Sequence, residues 1–180
     1  MKNYFKIYKT LIAALFLTSA VNAQTTFSNT ADVCPPDGNT TGVTSVISVS
    51  GLPLSIAALT INIPNINHTW YDDLDLMLIS PTGQRIILMS DCGGNNSGTS
   101  NRNYTFVQGG TALSNGAEPT ASGNVAPTAF DNTETWPDGA ATITALNQLV
   151  GNPNGNWILR VLDDSGSDTV CLIGGWSLTI

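Results

Sequence analysis

The residues of this sequence with the clearest capacity for chemistry are aspartates that stand next to apolar runs. Carboxylates within ~5 Å of one another repel unless protonation or a cation removes the excess charge. Calcium suits such a group because it accepts six to eight oxygen ligands in flexible geometry. Loops at one end of a two-layered sheet gather together, so these side chains are predicted to form a calcium site. The aspartates concerned are Asp72, Asp73, Asp75, Asp91, Asp163 and Asp168.

These acids also have interpretations other than a calcium site. Turn aspartates cap their own backbone and face water, which is the simplest alternative. A carboxylate pair could act in a glycosidase, but these acids stand in turns with no evident pocket. The acidic turn that begins at Asp163 is not an EF-hand, because its twelfth position is Gly174 where a bidentate glutamate is required.

Nucleophilic catalysis has little support in this chain. A cysteine or serine nucleophile needs an imidazole base, and the single histidine, His68, stands at a strand edge where a structural hydrogen-bonding role is simpler. One imidazole also cannot form a zinc site by itself. The three cysteines, Cys34, Cys92 and Cys171, predict one disulfide and one remaining thiol in an oxidising compartment. Their pairing is open among three possibilities.

Short alternating strands must position these groups. Leu74, Leu76 and Leu78 alternate with Asp75, Met77 and Ile79, which is the period of a half-buried β-strand, and a Ser-Pro-Thr-Gly turn at 80–83 returns the chain. No window shows helical periodicity, apart from a possible single turn at 144–149. The composition therefore predicts an all-β, jelly-roll-like sandwich of about eight short, mostly antiparallel strands. The apolar runs fall at 43–49, 56–63, 74–79, 86–89, 104–107, 157–162 and 170–180.

The first 23 residues have the features of a secretory signal peptide. Three lysines precede an apolar run at 11–17, and the small residues Val21-Asn22-Ala23 follow. A retained membrane anchor is the weaker alternative, because the run is well short of the ~20 residues needed to cross a bilayer. Residues 24–180 form one predicted domain with no membrane insertion after cleavage. That domain keeps three arginines against thirteen acidic residues, a formal charge of −10, which argues against nucleic acid and anionic membranes as partners.

Four motifs stand in order along the chain: HTW at 68–70 with DDLDL at 72–76, LISPTG at 78–83, NPNGNW at 152–157 and GGWSLTI at 174–180. With these motifs the chain, from about Val43 to its end, closely resembles the P domain, also called the Homo B domain, of proprotein convertases. The resemblance implies a jelly-roll β-sandwich that stands beside a subtilisin-like serine protease domain, supports its folding and stability, and influences its calcium and pH behaviour. Bacterial relatives also occur in secreted proteins of other architectures.

The resemblance also bears on the site residues. Asp73 takes the position of the family's aspartate at the start of the strand, and Asp163 and Asp168 lie in its last acidic loop. Many bacterial members carry an acidic pair after a central phenylalanine, whereas Phe106 is followed here by Val107 and Gln108. One cation site is therefore expected to be missing or built differently, with Asp131, which follows Phe130, as the substitute.

Together, these observations predict a secreted, non-catalytic, calcium-stabilised accessory module that packs against a protease catalytic domain or another exported protein. The alternative is a carbohydrate-binding or adhesion module in which Trp70, Tyr71 and Trp136 stack on sugar rings, although Trp70 and Trp136 are more simply interpreted as covering the ends of the core. Trp157 and Trp176 stand in alternating strands and are predicted to be core. The Gly-, Ala- and Pro-rich segment 109–139 is predicted to be a surface excursion anchored by Phe130 and Trp136.

Overall fold

A computed structural model describes residues 24–94, 100–116, 118–130, 134–167 and 170–180, without the side chain of Ser100. The predicted signal segment 1–23 and the predicted ligands Asp131 and Asp168 lie outside these residues. Within the described part of the chain, no helix has the length and apolar character that crossing a membrane requires.

The described chain is built from eleven strands and two single-turn 3-10 helices. The helices are Tyr71–Asp73 and Leu146–Gln148. The strands are β1 (Thr26–Asn29), β2 (Val43–Val49), β3 (Thr60–His68), β4 (Leu74–Ile79), β5 (Arg85–Ser90), β6 (Ser100–Ala112), β7 (Gly123–Ala126), β8 (Thr128–Ala129), β9 (Gly155–Asp163), β10 (Cys171–Leu172) and β11 (Trp176–Thr179).

The strands form two sheets. One has the order β1-β11-β3-β6-β7, with β10 also paired to β3, and the other has the order β2-β9-β4-β5-β8. Pairing is antiparallel except between β6 and β7 and between β5 and β8. The predicted all-β sandwich is therefore confirmed. The count of about eight strands was too low because β1, β7, β8 and β10 are only two to four residues long and carry little periodic signal.

The main core lies between the sheets and contains both predicted core tryptophans. Trp157 and Trp176 are at most 1% exposed. The indole Nε1–H of Trp157 donates to the carbonyl of Pro153 at 2.9 Å, and that of Trp176 donates to Ser45 Oγ at 2.9 Å. Each ring therefore buries its apolar surface without leaving its polar N–H unsatisfied.

A second, smaller core lies on the outer face of the second sheet. Met77, Ile87 and Leu162 pack there against Trp136, which belongs to residues 134–145, a segment named here the strap. Strand β4 is therefore buried on both faces, whereas the alternation predicted a half-buried strand. Trp136 is an anchor as predicted, but Phe130 is not, because its side chain is 48% exposed. The prediction that 109–139 is a surface excursion is wrong for the end of β6 and for β7 and β8, which pair within the sheets.

Two arginines fasten the strap to the sheet. Arg160 Nε and Nη2 donate to the two carboxylate oxygens of Asp138 at 2.7 and 3.0 Å. Arg85 Nε donates to the carbonyl of Ala140 at 2.8 Å. Bidentate pairing fixes the guanidinium plane as well as its distance from the carboxylate. The strap is therefore held at its middle on both sides of Gly139.

The strand directions bring the acidic segments to one end of the sandwich. Strand β4 runs antiparallel to β5 and β9, so its start meets their ends, and Leu74 stands opposite Asp163. The backbone N–H of Asp164 donates to the carbonyl of Asp73 at 3.1 Å. We call this end the acidic pole. Cys34 and Cys171 form a disulfide, which selects one of the three open pairings, and Cys92 keeps a buried free thiol.

Candidate metal centre

Three carboxylates converge at the acidic pole on the outer face of the second sheet. Asp75 comes from β4, Asp164 directly follows β9, and Glu134 opens the strap. One carboxylate oxygen from each lies within 4.8 Å of the others. This span fits a single ion, because calcium binds oxygen at 2.3–2.6 Å and ligands on opposite sides of it stand about 5 Å apart.

Asp75 is the buried floor of this group. Its side chain is 1% exposed, and its Oδ1 has no hydrogen-bond partner among the described residues. The hydroxyl of Ser90 hydrogen-bonds Asp75 and also lies 2.9 Å from Asp91 Oδ2 and 3.2 Å from Glu134 Oε2. A hydroxyl has one proton, so it cannot satisfy three carboxylates at once.

The electrostatics of the acidic pole disfavour its own ionised form. Burial, and next the charge of Glu134, raise the pKa of Asp75 to about 9. Burial, followed by the charge of Asp91, also raises the pKa of Asp72 and of Asp164. Burial is the main reason that the pKa of Glu134 is raised as well. All four pKa values are raised, which is the direction expected for carboxylates that have no positive charge beside them.

The arginines of the described chain do not supply that positive charge, because each makes its hydrogen bonds elsewhere. Arg160 pairs with Asp138, Arg85 binds the carbonyl of Ala140, and Arg102 Nε donates to the carbonyl of Thr120 at 3.1 Å. The group of Asp75, Glu134 and Asp164 could therefore bind a metal ion. Its donors are all carboxylate oxygens, which favours a hard cation such as calcium over zinc, whose usual ligands are imidazole and thiolate.

The predicted ligands fall in different places around this group. Asp75 belongs to it, and Asp72 and Asp91 lie near enough for their charges to act on it. Asp73 stands at the same pole, where its carbonyl accepts the Asp164 N–H. Asp163 is fully buried opposite Leu74 and shares the inward face of β9 with Val161.

Two members of the group, Glu134 and Asp164, were not among the predicted ligands. Asp164 directly follows the predicted Asp163. Because side chains alternate along β9, Leu162 and Asp163 point to opposite faces, and Asp164 is expected on the outer face with Leu162. This alternation could have identified Asp164 as the outward-facing acid of the pair. Glu134 precedes Trp136 by two residues in a segment without strand periodicity. The only feature of the sequence that points to Glu134 is its position close to Trp136, the predicted aromatic anchor.

The aromatics proposed for sugar stacking do not form an exposed platform. Tyr71 is 1% exposed and its hydroxyl donates to the carbonyl of Ile66 at 2.7 Å. Trp136 is 5% exposed within the outer core, and Trp70 is half-buried. The alternative in which Trp70, Tyr71 and Trp136 stack on sugar rings is therefore wrong for Tyr71 and Trp136, and the preferred interpretation of Trp136 as a cover of the core is confirmed.

The chain is similar to one protein family and, more distantly, to solved structures. A family model described as the proprotein convertase P-domain matches residues 58–180. No curated protein matches the chain. Solved structures that resemble it include a serine protease of Aeromonas sobria in complex with a chaperone (16% identity, TM-score 0.46) and a serine protease of Aeromonas sobria (17% identity, TM-score 0.41). Each alignment covers 87% of this chain, which spans only 26% of the matched chain.

Proposed function

Since the chain belongs to the family of proprotein convertase P domains, we propose that it is a secreted, non-catalytic accessory module that binds calcium at its acidic pole. In this proposal it packs against a subtilisin-like protease catalytic domain and stabilises it. The observation that carries the calcium assignment is the convergence of Asp75, Glu134 and Asp164 around a buried carboxylate oxygen without a hydrogen-bond partner.

The surroundings of the only histidine support a non-catalytic role. His68 is 1% exposed, and its Nδ1 accepts the backbone N–H of Trp70 at 3.1 Å. An imidazole in this position shapes the turn before β4 and has no open path to a substrate. Serine or cysteine hydrolysis needs such a base within reach of the nucleophile. Proteolysis associated with this chain would therefore be carried out by a separate catalytic domain.

Secretion is supported by the disulfide as well as by the lysine-rich, apolar beginning of the sequence. The bridge between Cys34 and Cys171 joins the segment before β2 to β10, 137 residues away. Such bridges form and persist in oxidising compartments. The proposed site of action is thus outside the cytoplasm.

A surface at the end of the sandwich opposite the acidic pole is the proposed docking face. We call it the uncharged pole and define it as loops 50–59 and 146–154. Neither loop contains a charged residue. Leu54 is 74% and Val150 59% exposed there. Depletion of charge with exposed apolar side chains is typical of the centre of a protein interface.

Thermal unfolding with calcium or with chelator tests the metal assignment. Calcium at a hundredfold excess over its dissociation constant should stabilise the folded protein by about 2.7 kcal/mol. Asp75→Asn and Asp164→Asn should abolish this gain, whereas Asp138→Asn, which alters an aspartate outside the group, should keep it. Identical curves with calcium and chelator would reject the site. Asp73→Ala tests the residue that the family resemblance favours, and an unchanged calcium shift would remove it from the ligand set.

The docking face is tested with a subtilisin-like catalytic domain produced by the same organism. Addition of this chain should lengthen the half-life of the protease at elevated temperature, and Leu54→Asp or Val150→Asp should remove the effect. Val46→Asp is the matched control, because Val46 is 40% exposed on β2, outside the uncharged pole. An effect equally sensitive to Val46→Asp would contradict docking through this pole.

A further inference from the structure

A cavity of about 580 Å³ lies against the metal centre. The strap provides one wall with Glu134, Thr135 and Pro137, the end of β9 provides Leu162 and Asp164, and the loop before β2 provides Thr40. Glu134 and Asp164 therefore belong to both the cavity and the group that converges on Asp75. An ion held by these carboxylates would stand at the edge of a space large enough for a sugar ring.

The carboxylates do not complete the coordination of calcium by themselves. Three of them supply between three and six oxygens, depending on how many bind through both, and calcium takes six to eight. Asp75 closes the buried side of the ion, and Asp164 is exposed on the side of the cavity. The remaining coordination positions would thus be open toward the cavity.

The charge of the acidic pole selects what can fill those positions. Asp72, Asp75, Asp91, Glu134 and Asp164 stand close enough to act on one another electrostatically. One divalent ion leaves this set of five carboxylates with a net negative charge. A carboxylate or phosphate ligand would be repelled, and an ammonium group would compete with the ion itself. A neutral ligand with paired oxygens meets neither obstacle.

The rest of the cavity offers complementary contacts to such a ligand. Thr40 and Thr135 are exposed, and no hydrogen bond within the described part of the chain occupies their hydroxyls. Pro137, which is exposed, supplies apolar surface beside them. A sugar ring presents the same combination of hydroxyls and C–H surface. This mode of recognition does not depend on the aromatic side chains that are buried.

We propose that the cavity is a calcium-dependent binding site for a neutral sugar, in which two adjacent hydroxyls complete the coordination of the ion while Thr40 and Thr135 bind the other hydroxyls. The inference rests on the calcium site of the proposed function. It adds a ligand class to that site and is independent of the uncharged pole.

The test is titration of the full mature chain with methyl α-D-mannopyranoside and methyl α-D-galactopyranoside, followed by NMR in calcium and in chelator. Cyclohexanol, which lacks a second hydroxyl, is the matched control ligand. At least one sugar should shift resonances in calcium but not in chelator, and cyclohexanol should not. Thr40→Val and Thr135→Val should each weaken sugar binding about fivefold, the effect of one lost neutral hydrogen bond, with the calcium-dependent melting shift unchanged.

The outcomes separate this inference from the function on which it rests. A calcium-dependent melting shift without binding of either sugar would overturn the sugar site and leave the calcium-stabilised module standing. Sugar binding that persists in chelator, or that Thr40→Val and Thr135→Val both leave unchanged, would also overturn it. Absence of the melting shift itself would refute the calcium assignment and the sugar site together.

Discussion

The pH dependence of stability in the absence of calcium is the sharpest test of the metal centre. Folding raises the pKa of Asp75 from an ordinary value of 3.8 to about 9, so the folded protein holds this proton more tightly than the unfolded chain. Its free energy of unfolding should therefore fall as pH rises between these values. The slope for one proton is about 1.4 kcal/mol per pH unit.

Asp75→Asn isolates this contribution. Between pH 5 and pH 8, one proton can change the free energy of unfolding of the calcium-free protein by at most about 4 kcal/mol. The asparagine variant lacks this titrating group, so its slope should be shallower than that of the wild type, and the slope that remains comes from Asp72, Glu134 and Asp164, whose pKa values are also raised. Differences in packing between the amide and the carboxyl do not vary with pH and cancel in the comparison. The free energy of unfolding of the variant should therefore rise relative to that of the wild type as pH rises.

Urea unfolding at pH 5, 6, 7 and 8 in chelator measures the slope directly, and the same series in calcium provides the contrast. Bound calcium keeps the carboxylates ionised, so the wild-type slope should flatten when the ion is present. Asp138→Asn is the matched control, because Asp138 pairs with Arg160 outside the group, and it should keep the wild-type slope. A flat calcium-free profile for the wild type, or an unchanged slope in Asp75→Asn, would refute the reasoning.

Three further predictions concern the fold. Replacing Cys34 and Cys171 together by serine should lower the free energy of unfolding by up to about 5 kcal/mol in the loop-entropy model, measured by urea unfolding, given their separation of 137 residues. Cys92 is 2% exposed and its pKa is raised to about 12, so a thiol reagent should label it only in denaturant. Trp157→Ala should cost about 3–5 kcal/mol in the same unfolding assay, and a loss below 1 kcal/mol would contradict its place in the core.

The sequence predicted those features of the fold that local periodicity encodes. The alternation of Leu74, Leu76 and Leu78 with Asp75 and Met77 correctly assigned the inward and outward faces of β4. It could not show that the outward face is also buried, because its cover comes from Trp136, about sixty residues later in the chain. The two-residue periodicity of a strand reports only its own residues and contains no information about contacts with a distant segment.

In the candidate site, too, the residue marked by local sequence pattern was predicted and the residue placed by tertiary contacts was not. Asp75 was predicted because a charged residue at the start of an alternating strand is conspicuous. Glu134 was missed because the strap reaches the acidic pole through tertiary contacts, chiefly those of Trp136 and Asp138, and follows no repeating pattern. Disulfide pairing also depends on tertiary contacts. The number of cysteines alone therefore left three possible pairings, of which the structure contains Cys34–Cys171.

The separation of the two poles constrains how calcium could influence a partner. Strand β9 runs from Gly155, beside the uncharged pole, to Asp163 at the acidic pole, a length of about 26 Å at ~3.3 Å per residue. This distance is well beyond the ~8 Å over which physiological salt screens exposed charges. The charge of the ion therefore has little direct effect at the docking face. Calcium should act on a partner mainly by raising the fraction of chain that is folded, so its effect should fade under conditions where the calcium-free protein is already fully folded.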